Sequence, residues 1–216
     1  MTGPRGSGSY WDGVYAARRG EELSWFQAAP ETSIRLLERF ASPTGSVIDI
    51  GAGSSPLATA LLDAGWRDVT VLDISDTALA AARGRLGERA AQVTFLTGDL
   101  LSWQPQRTYD AWHDRAVFHF LVDAADRGRY VALAAGAVAP GGVLILATFA
   151  ADGPTQCSGL RTARYDPSEL ADIFAPGFSL VHAEREEHHT PGGAVQPFSW
   201  VVLRATSVFS GGSSPR

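Results

Sequence analysis

The sequence predicts an α/β fold in which a mostly parallel sheet is covered by helices on both faces. Segments with strand-like and helix-like apolar periods alternate along most of the chain, as in repeated strand and helix units. Residues 143–149 are the most apolar of these segments, which is typical of a central strand buried on both faces. Residues 178–186 and 198–204 are β-rich and flank a turn-rich segment with Pro191-Gly192-Gly193, so the sheet should end in a hairpin.

Length and composition favour one folded domain. A chain of 216 residues buries about 70% of the surface that it exposes when unfolded. Hydrophobic residues make up 45% and charged residues 19%, which argues against a disordered chain, and the apolar runs are too short for a membrane span. Cys157 is the only cysteine and the start lacks a secretory pattern, so we expect a cytoplasmic protein without disulfides. The net charge of −5 argues against a nucleic-acid partner.

The individual elements follow from periodicity and from helix signals. Apolar residues three and four positions apart predict a helix over residues 30–41. Pro56, after two serines, suits the first turn of a second helix, and Gly65 suits its end. Further helices are predicted over residues 75–86 and 127–138 and after the capping-box sequence Asp166-Pro167-Ser168-Glu169. Strands are predicted at residues 46–50, 69–72, 92–96, 109–113, 143–149, 178–186 and 198–204. The result is a Rossmann-like sheet of seven strands, with the last strand antiparallel.

We divide the chain into three parts. Residues 2–9 and 207–216 are rich in Gly, Ser and Pro and lack a hydrophobic period, so we expect mobile tails. The parts are an N-terminal tail with an aromatic lid (1–29), the sheet domain (30–206) and a C-terminal tail (207–216).

The first strand runs into a glycine loop that selects between cofactors. In open α/β sheets ligands bind at the carboxyl ends of the strands, where Asp49, Gly51, Ala52 and Gly53 are predicted to lie. A dinucleotide site would have a third glycine where Pro56 stands, and a carboxylate beside its pyrophosphate would be unfavourable. S-adenosylmethionine carries a sulfonium and an ammonium, so an acidic neighbour favours it. This pattern therefore indicates S-adenosylmethionine rather than a nicotinamide cofactor.

Two further strand ends carry acidic residues at the expected spacing. Asp73 lies 20 residues after Gly53 and can accept hydrogen bonds from both ribose hydroxyls, while Ile74 can pack on the adenine ring. Asp99 can accept from the adenine amine, and the amide that follows it, at Leu100, can donate to the ring. The alternative for each aspartate is a helix cap or turn residue, but the order and spacing favour a donor site.

These three segments, 47–53, 71–74 and 98–100, resemble the successive donor-binding motifs of class I S-adenosylmethionine-dependent methyltransferases. The resemblance extends over about residues 28–204. It implies a methyltransferase domain over residues 30–206, S-adenosylmethionine as donor and S-adenosylhomocysteine as product.

A fourth segment, Trp112-His113-Asp114-Arg115-Ala116, resembles the Trp-Asp-Arg-Gly stretch of thiopurine S-methyltransferases and related small-molecule enzymes. The resemblance implies that the His113 backbone and the Asp114 side chain lie near the methionine end of the donor. The alternative for Asp114 and Arg115 is an ion pair that braces the loop.

The residues before the first helix are unusually aromatic and resemble the lid of the same enzymes and of some lysine methyltransferases. An aromatic face stabilises a sulfonium by roughly 0.5–2 kcal/mol and excludes water, which makes Trp25 the best lid candidate. Packing of the first helix on the sheet is the simpler role for Trp11.

The hairpin turn should return to the carboxyl-end face, so His188, His189 and Gln196 are predicted to rim the pocket beside residues 156–160. Cys157 and these histidines lack the spacing of a zinc site, and methyl transfer needs no covalent intermediate, so we predict no metal. The catalytic candidates are Asp114 and His188. The predicted donor-binding residues are Trp25, Asp49, Gly51, Ala52, Gly53, Asp73, Ile74, Asp99, Leu100 and His113. The predicted acceptor-binding residues are Trp11, Tyr15, Phe26, Arg115, His189 and Gln196.

The sequence thus predicts methyl transfer to a sulfur, selenium or nitrogen atom of a small molecule, by a monomer or homodimer without membrane or nucleic-acid partners. The chain lacks an Asn/Asp-Pro-Pro-Tyr segment after the fourth strand, so the usual signature of DNA amino-methyltransferases is missing. Two alternatives stay open: a protein lysine methyltransferase, and a non-catalytic module that binds S-adenosylmethionine.

Overall fold

The computed structural model describes residues 6–18 and 20–206, in which the strands form one large sheet and one short ribbon. The sheet strands are β1 (Ser46–Ile50), β2 (Asp68–Asp73), β3 (Val93–Thr97), β4 (Tyr109–Arg115), β5 (Val138–Phe149), β8 (Phe178–His189) and β9 (Val195–Ala205). The ribbon strands are β6 (Gln156–Cys157) and β7 (Leu160–Arg161). The order across the sheet is β3-β2-β1-β4-β5-β9-β8.

Six α-helices connect or cover these strands in the described part of the chain. They are α1 (Gly8–Ala17), α2 (Glu31–Phe40), α3 (Leu57–Asp63), α4 (Asp76–Leu86), α5 (Ala124–Ala137) and α6 (Pro167–Phe174). Three short 3-10 segments occur at Gly20–Glu22, Gly87–Gln92 and Phe118–Phe120.

The pairing of the strands confirms the predicted sheet. Strands β1 to β5 are parallel to one another, whereas β9 is antiparallel to both β5 and β8. In the register of β1, Val47 lies opposite Val69 of β2 and Ala111 of β4. All five residues of β1 are buried, as expected for a strand with a helix layer on each face. The hairpin of β8 and β9 closes the sheet as the sequence predicts.

Two hydrophobic cores lie on opposite faces of this sheet. Successive side chains of a strand point to opposite faces, so Val47 packs with Leu37 in one core and Ile48 packs with Tyr130 in the other. The described helices are all too short or too polar to cross a membrane.

The helix signals have mixed outcomes. The capping box of α6 is present: the side chain of Asp166 caps the helix, and its backbone N–H donates to Glu169 Oε2 at 2.8 Å. The helix predicted over residues 127–138 is present as α5, which starts earlier, at Ala124, and ends at Ala137, whereas β5 begins five residues before the predicted strand at residue 143.

The N-terminal end is also more ordered than predicted. Ser7 accepts a hydrogen bond from the Tyr10 amide at 3.2 Å and caps α1, so Gly8 and Ser9 are helical rather than part of a mobile tail. The other predicted tail residues, 2–5 and 207–216, lie outside the described residues. The boundary between residues 29 and 30 stays a prediction.

Candidate active site

One cleft, which we call the main cleft, runs along the carboxyl ends of the sheet strands. Its donor half is at β1 to β3, and its other half reaches β5 and β9. Predicted residues that line it are Trp11, Tyr15, Trp25, Gly51, Asp73, Ile74, Asp99, Leu100 and Arg115. Cys157, from the segment 156–160 that was predicted at the pocket, also lines it, and residues that line it without having been predicted include Val117, His119, Phe120, Phe149 and Phe198.

The glycines of the β1 loop are required by the protein's own side chains. Gly51 and Gly53 have φ angles of +62° and +55°, a region that side-chain-bearing residues rarely adopt. A Cβ on Gly51 would lie 2.0 Å from Val117, and one on Gly53 would lie 2.3 Å from the Tyr15 hydroxyl oxygen. The glycine loop is therefore in close contact with Tyr15 of the lid and with Val117, which follows β4.

Asp73 is buried at the end of β2 and organises the neighbouring loops. Its Oδ2 accepts from the Gly53 amide at 2.7 Å, and its Oδ1 accepts from the Ser75 amide at 2.8 Å. Asp73 lines the main cleft, and a carboxylate has about four acceptor positions, so it retains capacity for a further hydrogen bond. Burial raises the pKa of Asp73 to about 6, because the charged form is poorly hydrated there.

The far end of the donor half has apolar walls and one acidic residue. Ile74 follows β2, and Leu100 follows Asp99 in the loop after β3. Oδ1 of Asp99 accepts from the Leu101 amide at 3.0 Å, which fixes the loop. A flat ring can lie between such walls with an oxygen acceptor at its edge.

The predicted aromatic lid covers the main cleft. The ring of Trp11 packs edge-to-face on Trp25 and Phe120, with centroids 6.1 and 5.3 Å apart, and Tyr15 packs on Trp25 at 6.1 Å. Asp12 ties α1 to the start of α4, because its Oδ1 accepts from the Ser75 hydroxyl at 2.7 Å and from the Thr77 amide at 3.0 Å. No sequence pattern indicated this tie.

A second cleft lies on the other side of Tyr15 and Trp25 and contains several predicted donor-site residues. It is lined by Tyr15, Trp25, Phe26, Ser33, Asp49, Gly51, Ala52, His113 and Arg115, among others.

At the base of this second cleft, His113 joins two strands and a helix. Its Nδ1 donates to Asp49 Oδ1 at 2.7 Å, and its Nε2 pairs with the Ser33 hydroxyl at 3.0 Å. Asp49 and His113 are only 4% and 2% exposed. The Asp49 carboxylate and the His113 ring therefore hold β1, β4 and α2 together. A contact of either residue with the donor stays a prediction.

The prediction that Asp114 is catalytic is wrong, because its side chain lies away from both clefts. Asp114 is fully buried on the α5 face of the sheet, where it accepts from the Tyr130 hydroxyl at 2.6 Å and from the Val117 and Phe118 amides at 2.8 and 3.2 Å. Ala116 has a φ of +78°, and this turn brings the two amides back to the carboxylate. Asp114 thus braces the loop, through hydrogen bonds rather than an ion pair.

Arg115, the next residue, lies on the cleft face. Its Nη1 donates to the Trp25 carbonyl at 3.0 Å, and its guanidinium carbon lies 4.6 Å from the centroid of the Phe198 ring. Burial lowers the pKa of Arg115 to about 10, so the side chain is still charged at neutral pH.

The predicted hairpin rim is also corrected. His188 is buried and its Nε2 donates to the Ser24 carbonyl at 2.8 Å, while His189 is exposed beyond it. Neither histidine, nor Gln196, is among the described residues that line the two clefts. In the hairpin register Phe198 lies opposite Glu186, two residues below these positions, and Phe198 is the residue that reaches the main cleft.

Cys157 and His119 complete the wall beside Phe149 and Phe198. Burial raises the pKa of the Cys157 thiol to about 11, so it is protonated and unreactive at neutral pH. Among residues 6–18 and 20–206, no group of acidic residues, histidines and Cys157 has the arrangement of a metal site. Phe149 could have been predicted to line the cleft, because it ends the predicted central strand. Nothing in the sequence indicated His119.

Comparison with known proteins supports the assignment of the donor half. Residues 47–142 match the family model described as a methyltransferase domain, and they contain the glycine loop, Asp73 and Asp99. This segment is therefore similar to a methyltransferase domain. The chain is 28% identical over 111 residues to the eEF1A lysine and N-terminal methyltransferase of Mus musculus, which is 51% of this chain and 16% of that protein. The chain spans from 13% to 35% of the length of the curated relatives it matches.

Solved structures share the fold over most of the chain. One comes from work on the conversion of a disulfide bond into a thioacetal group during echinomycin biosynthesis, with a TM-score of 0.75, 21% identity and 94% of each chain covered. Another is the 1,6-didemethyltoxoflavin-N1-methyltransferase of Burkholderia thailandensis with bound 1,6-didemethyltoxoflavin and S-adenosylhomocysteine. Its TM-score is 0.67 at 22% identity, covering 92% of this chain and 84% of that chain.

Proposed function

We propose that the protein transfers a methyl group from S-adenosylmethionine to a sulfur, selenium or nitrogen atom of a small molecule. The observation that carries the proposal is the main cleft itself. It joins the donor-binding residues Gly51, Asp73 and Asp99 at β1 to β3 with an aromatic wall at β5 and β9, under one lid.

The donor half fits S-adenosylmethionine. Asp73 lines the cleft as an acceptor for the ribose hydroxyls, and Ile74 and Leu100 offer apolar faces to the adenine. Trp11, Tyr15 and Trp25 present aromatic surface where a sulfonium would be stabilised. When bound, S-adenosylmethionine supplies an electrophilic methyl group on a positively charged sulfur.

The contribution of the chain to the reaction is positioning rather than proton transfer. Burial and the charge of Arg115 lower the pKa of His119 to about 3, so its imidazole is too weak a base at neutral pH. Cys157 stays protonated. The acceptor half thus favours a nucleophile with its own ionisation or lone pair, such as a thiol or selenol, that is held in line with the methyl group.

Methyl transfer from methyl-labelled S-adenosylmethionine to a panel of thiols, selenols, amines and lysine peptides tests this function. We expect labelled small-molecule products and little labelled peptide. Labelling of the peptides alone would favour the second candidate, protein lysine methylation, which the similarity to the eEF1A methyltransferase supports. Donor binding without labelling of any class would favour a non-catalytic module.

A further inference from the structure

The guanidinium of Arg115 has one edge without a hydrogen-bond partner in the described part of the chain. Nη1 donates to the Trp25 carbonyl, whereas Nε and Nη2 are buried and unpaired. Nε and Nη2 lie on the same edge of the planar guanidinium. Their N–H bonds therefore form a fork that matches the two oxygens of a carboxylate. We call these two donors the Arg115 fork.

A second buried donor belongs to the same wall of the main cleft. The Phe149 amide donates to Nδ1 of His119 at 3.4 Å, so the ring proton is assigned to Nε2. Nε2 has no partner among the described residues, although it is buried. His119 is therefore a neutral N–H donor that lacks an acceptor.

The charges around the Arg115 fork leave it available. Glu186 is near enough to favour the charged guanidinium, but its two oxygens accept from Gln27 Nε2 at 3.0 Å and from Trp200 Nε1 at 2.7 Å. Cys157 is a neutral thiol, and Nε2 of His188 already donates to a carbonyl. A buried cation with unpaired donors is unfavourable until an acceptor arrives.

Arg115 lines both clefts, and its stacking on Phe198 of β9 leads us to place the Arg115 fork on the acceptor side of the main cleft. Arg115 stacks on Phe198 of β9, and His119 lies between Phe120 and Phe149 with centroids 4.5 Å from each. The donor-binding residues end β1, β2 and β3, on the other side of β4 in the strand order. The walls around the fork are thus aromatic, and they suit a flat ligand.

We propose that the methyl acceptor is a flat, aromatic small acid, and that the Arg115 fork binds its carboxylate with the Nε2 proton of His119 as a third donor. This inference rests on the proposed function, because it names the class of acceptor for the same cleft. A carboxylate is preferred over a phosphate ester because a single cation and aromatic walls would leave a second negative charge uncompensated.

The experiment uses the three isomers of mercaptobenzoate and their methyl esters as probes with the full chain. Binding is titrated in the presence of S-adenosylhomocysteine, and kcat/KM for methyl transfer is measured where turnover occurs. The variants are Arg115→Met and His119→Phe. Arg204→Met is the control, because Arg204 is only partly buried and donates to the Gly141 carbonyl at 2.8 Å, outside both clefts.

We expect at least one mercaptobenzoate to bind about tenfold or more tightly than its ester, since the fork gives two charge-assisted hydrogen bonds. Arg115→Met should abolish this preference, His119→Phe should reduce it, and Arg204→Met should preserve it. If Arg115→Met does not fold, the comparison of acid with ester in the wild-type protein still decides.

Equal binding of acid and ester by the wild-type protein would overturn the inference. So would a loss of S-adenosylmethionine affinity in Arg115→Met with the acid preference intact, because the fork would then hold the donor's carboxylate. Failure of the proposed function is distinguishable, since it would show as absent S-adenosylmethionine binding by the wild-type protein.

Discussion

Asp114 and Arg115 are adjacent in β4, but they face opposite sides of the sheet and have separate roles. Asp114 accepts from the Tyr130 hydroxyl at 2.6 Å in one core, whereas Arg115 stacks on Phe198 at 4.6 Å in the main cleft. The alternation of side chains along a strand makes an ion pair between them impossible and leaves only one of them at the site.

Asp114→Ala should therefore act mainly on stability. It leaves the Tyr130 hydroxyl and the amides of Val117 and Phe118 buried without an acceptor, which we expect to cost about 2–5 kcal/mol in the free energy of unfolding. Urea denaturation measures the loss, and Tyr130→Phe, which removes one of these donors, should cost less. If the Asp114→Ala protein is as stable as the wild-type protein but lacks turnover, the prediction that Asp114 is catalytic would be supported after all.

Asp73→Ala should weaken donor binding. The loss of two hydrogen bonds from ribose hydroxyls to a carboxylate corresponds to about 1.5–3 kcal/mol, measured by titration calorimetry with S-adenosylmethionine. Asp76→Ala is the matched control, because Asp76 accepts from the Thr97 hydroxyl nearby but does not line either cleft. Equal affinity in the two variants would remove Asp73 from the site.

The affinity for S-adenosylmethionine should depend on pH through Asp73. Its pKa of about 6 in the free protein means that it is protonated below pH 6 and charged above it. The charged form accepts hydrogen bonds more strongly, so the dissociation constant should rise by up to about tenfold for each pH unit below 6 and level off above 7. Calorimetry from pH 5 to pH 8 tests this, and a flat profile in the wild-type protein would contradict it.

Trp25→Ala should open the lid. The ring packs on both Trp11 and Tyr15, so its loss exposes the cleft to water and removes aromatic surface worth about 0.5–2 kcal/mol to a sulfonium. We expect weaker donor binding and slower transfer. Trp103→Ala is a suitable control, since Trp103 packs on Tyr109 and Trp112 outside the clefts. Similar transfer rates in both variants would argue against a lid.

The hairpin can be tested by comparing Phe198→Ala with His189→Ala. Phe198 lines the main cleft and supports Arg115, so its truncation should lower kcat/KM for the acceptor by at least about tenfold while donor affinity changes little. His189 is exposed and outside both clefts, so its variant should behave like the wild-type protein. If His189→Ala lowers kcat/KM and Phe198→Ala does not, the acceptor pocket lies at the hairpin rim instead.

Local sequence patterns were sufficient to predict most of the fold and to group the strand-end residues of the candidate donor half. The apolar period of each segment, the capping box at Asp166 and the turn at Pro191-Gly192-Gly193 are properties of neighbouring residues, and they predicted all seven sheet strands. Parallel strands bring their carboxyl ends to one edge, so strand-end positions alone were enough to group Gly51, Asp73 and Asp99.

The acceptor half depended on contacts between residues far apart in the chain. Whether His188 or Phe198 reaches the cleft is set by how far the β8 and β9 hairpin extends past β5, which no local pattern specifies. Helix α1 was missed because none of its residues is fully buried, and it is held instead by the contact of Trp11 with Phe120 and by the hydrogen bonds of Asp12 to the start of α4.

The sequence by itself determined the α/β class, the strand count and the placement of the candidate donor-binding residues at strand ends, because periodicity and strand-end positions are encoded locally. Only the tertiary structure decided that Asp114 braces a loop, that Asp49 is held by His113, and that Arg115 and His119 keep unpaired donors in the cleft. Those outcomes depend on which atoms remain without partners once the chain is packed, and that is a property of the whole fold.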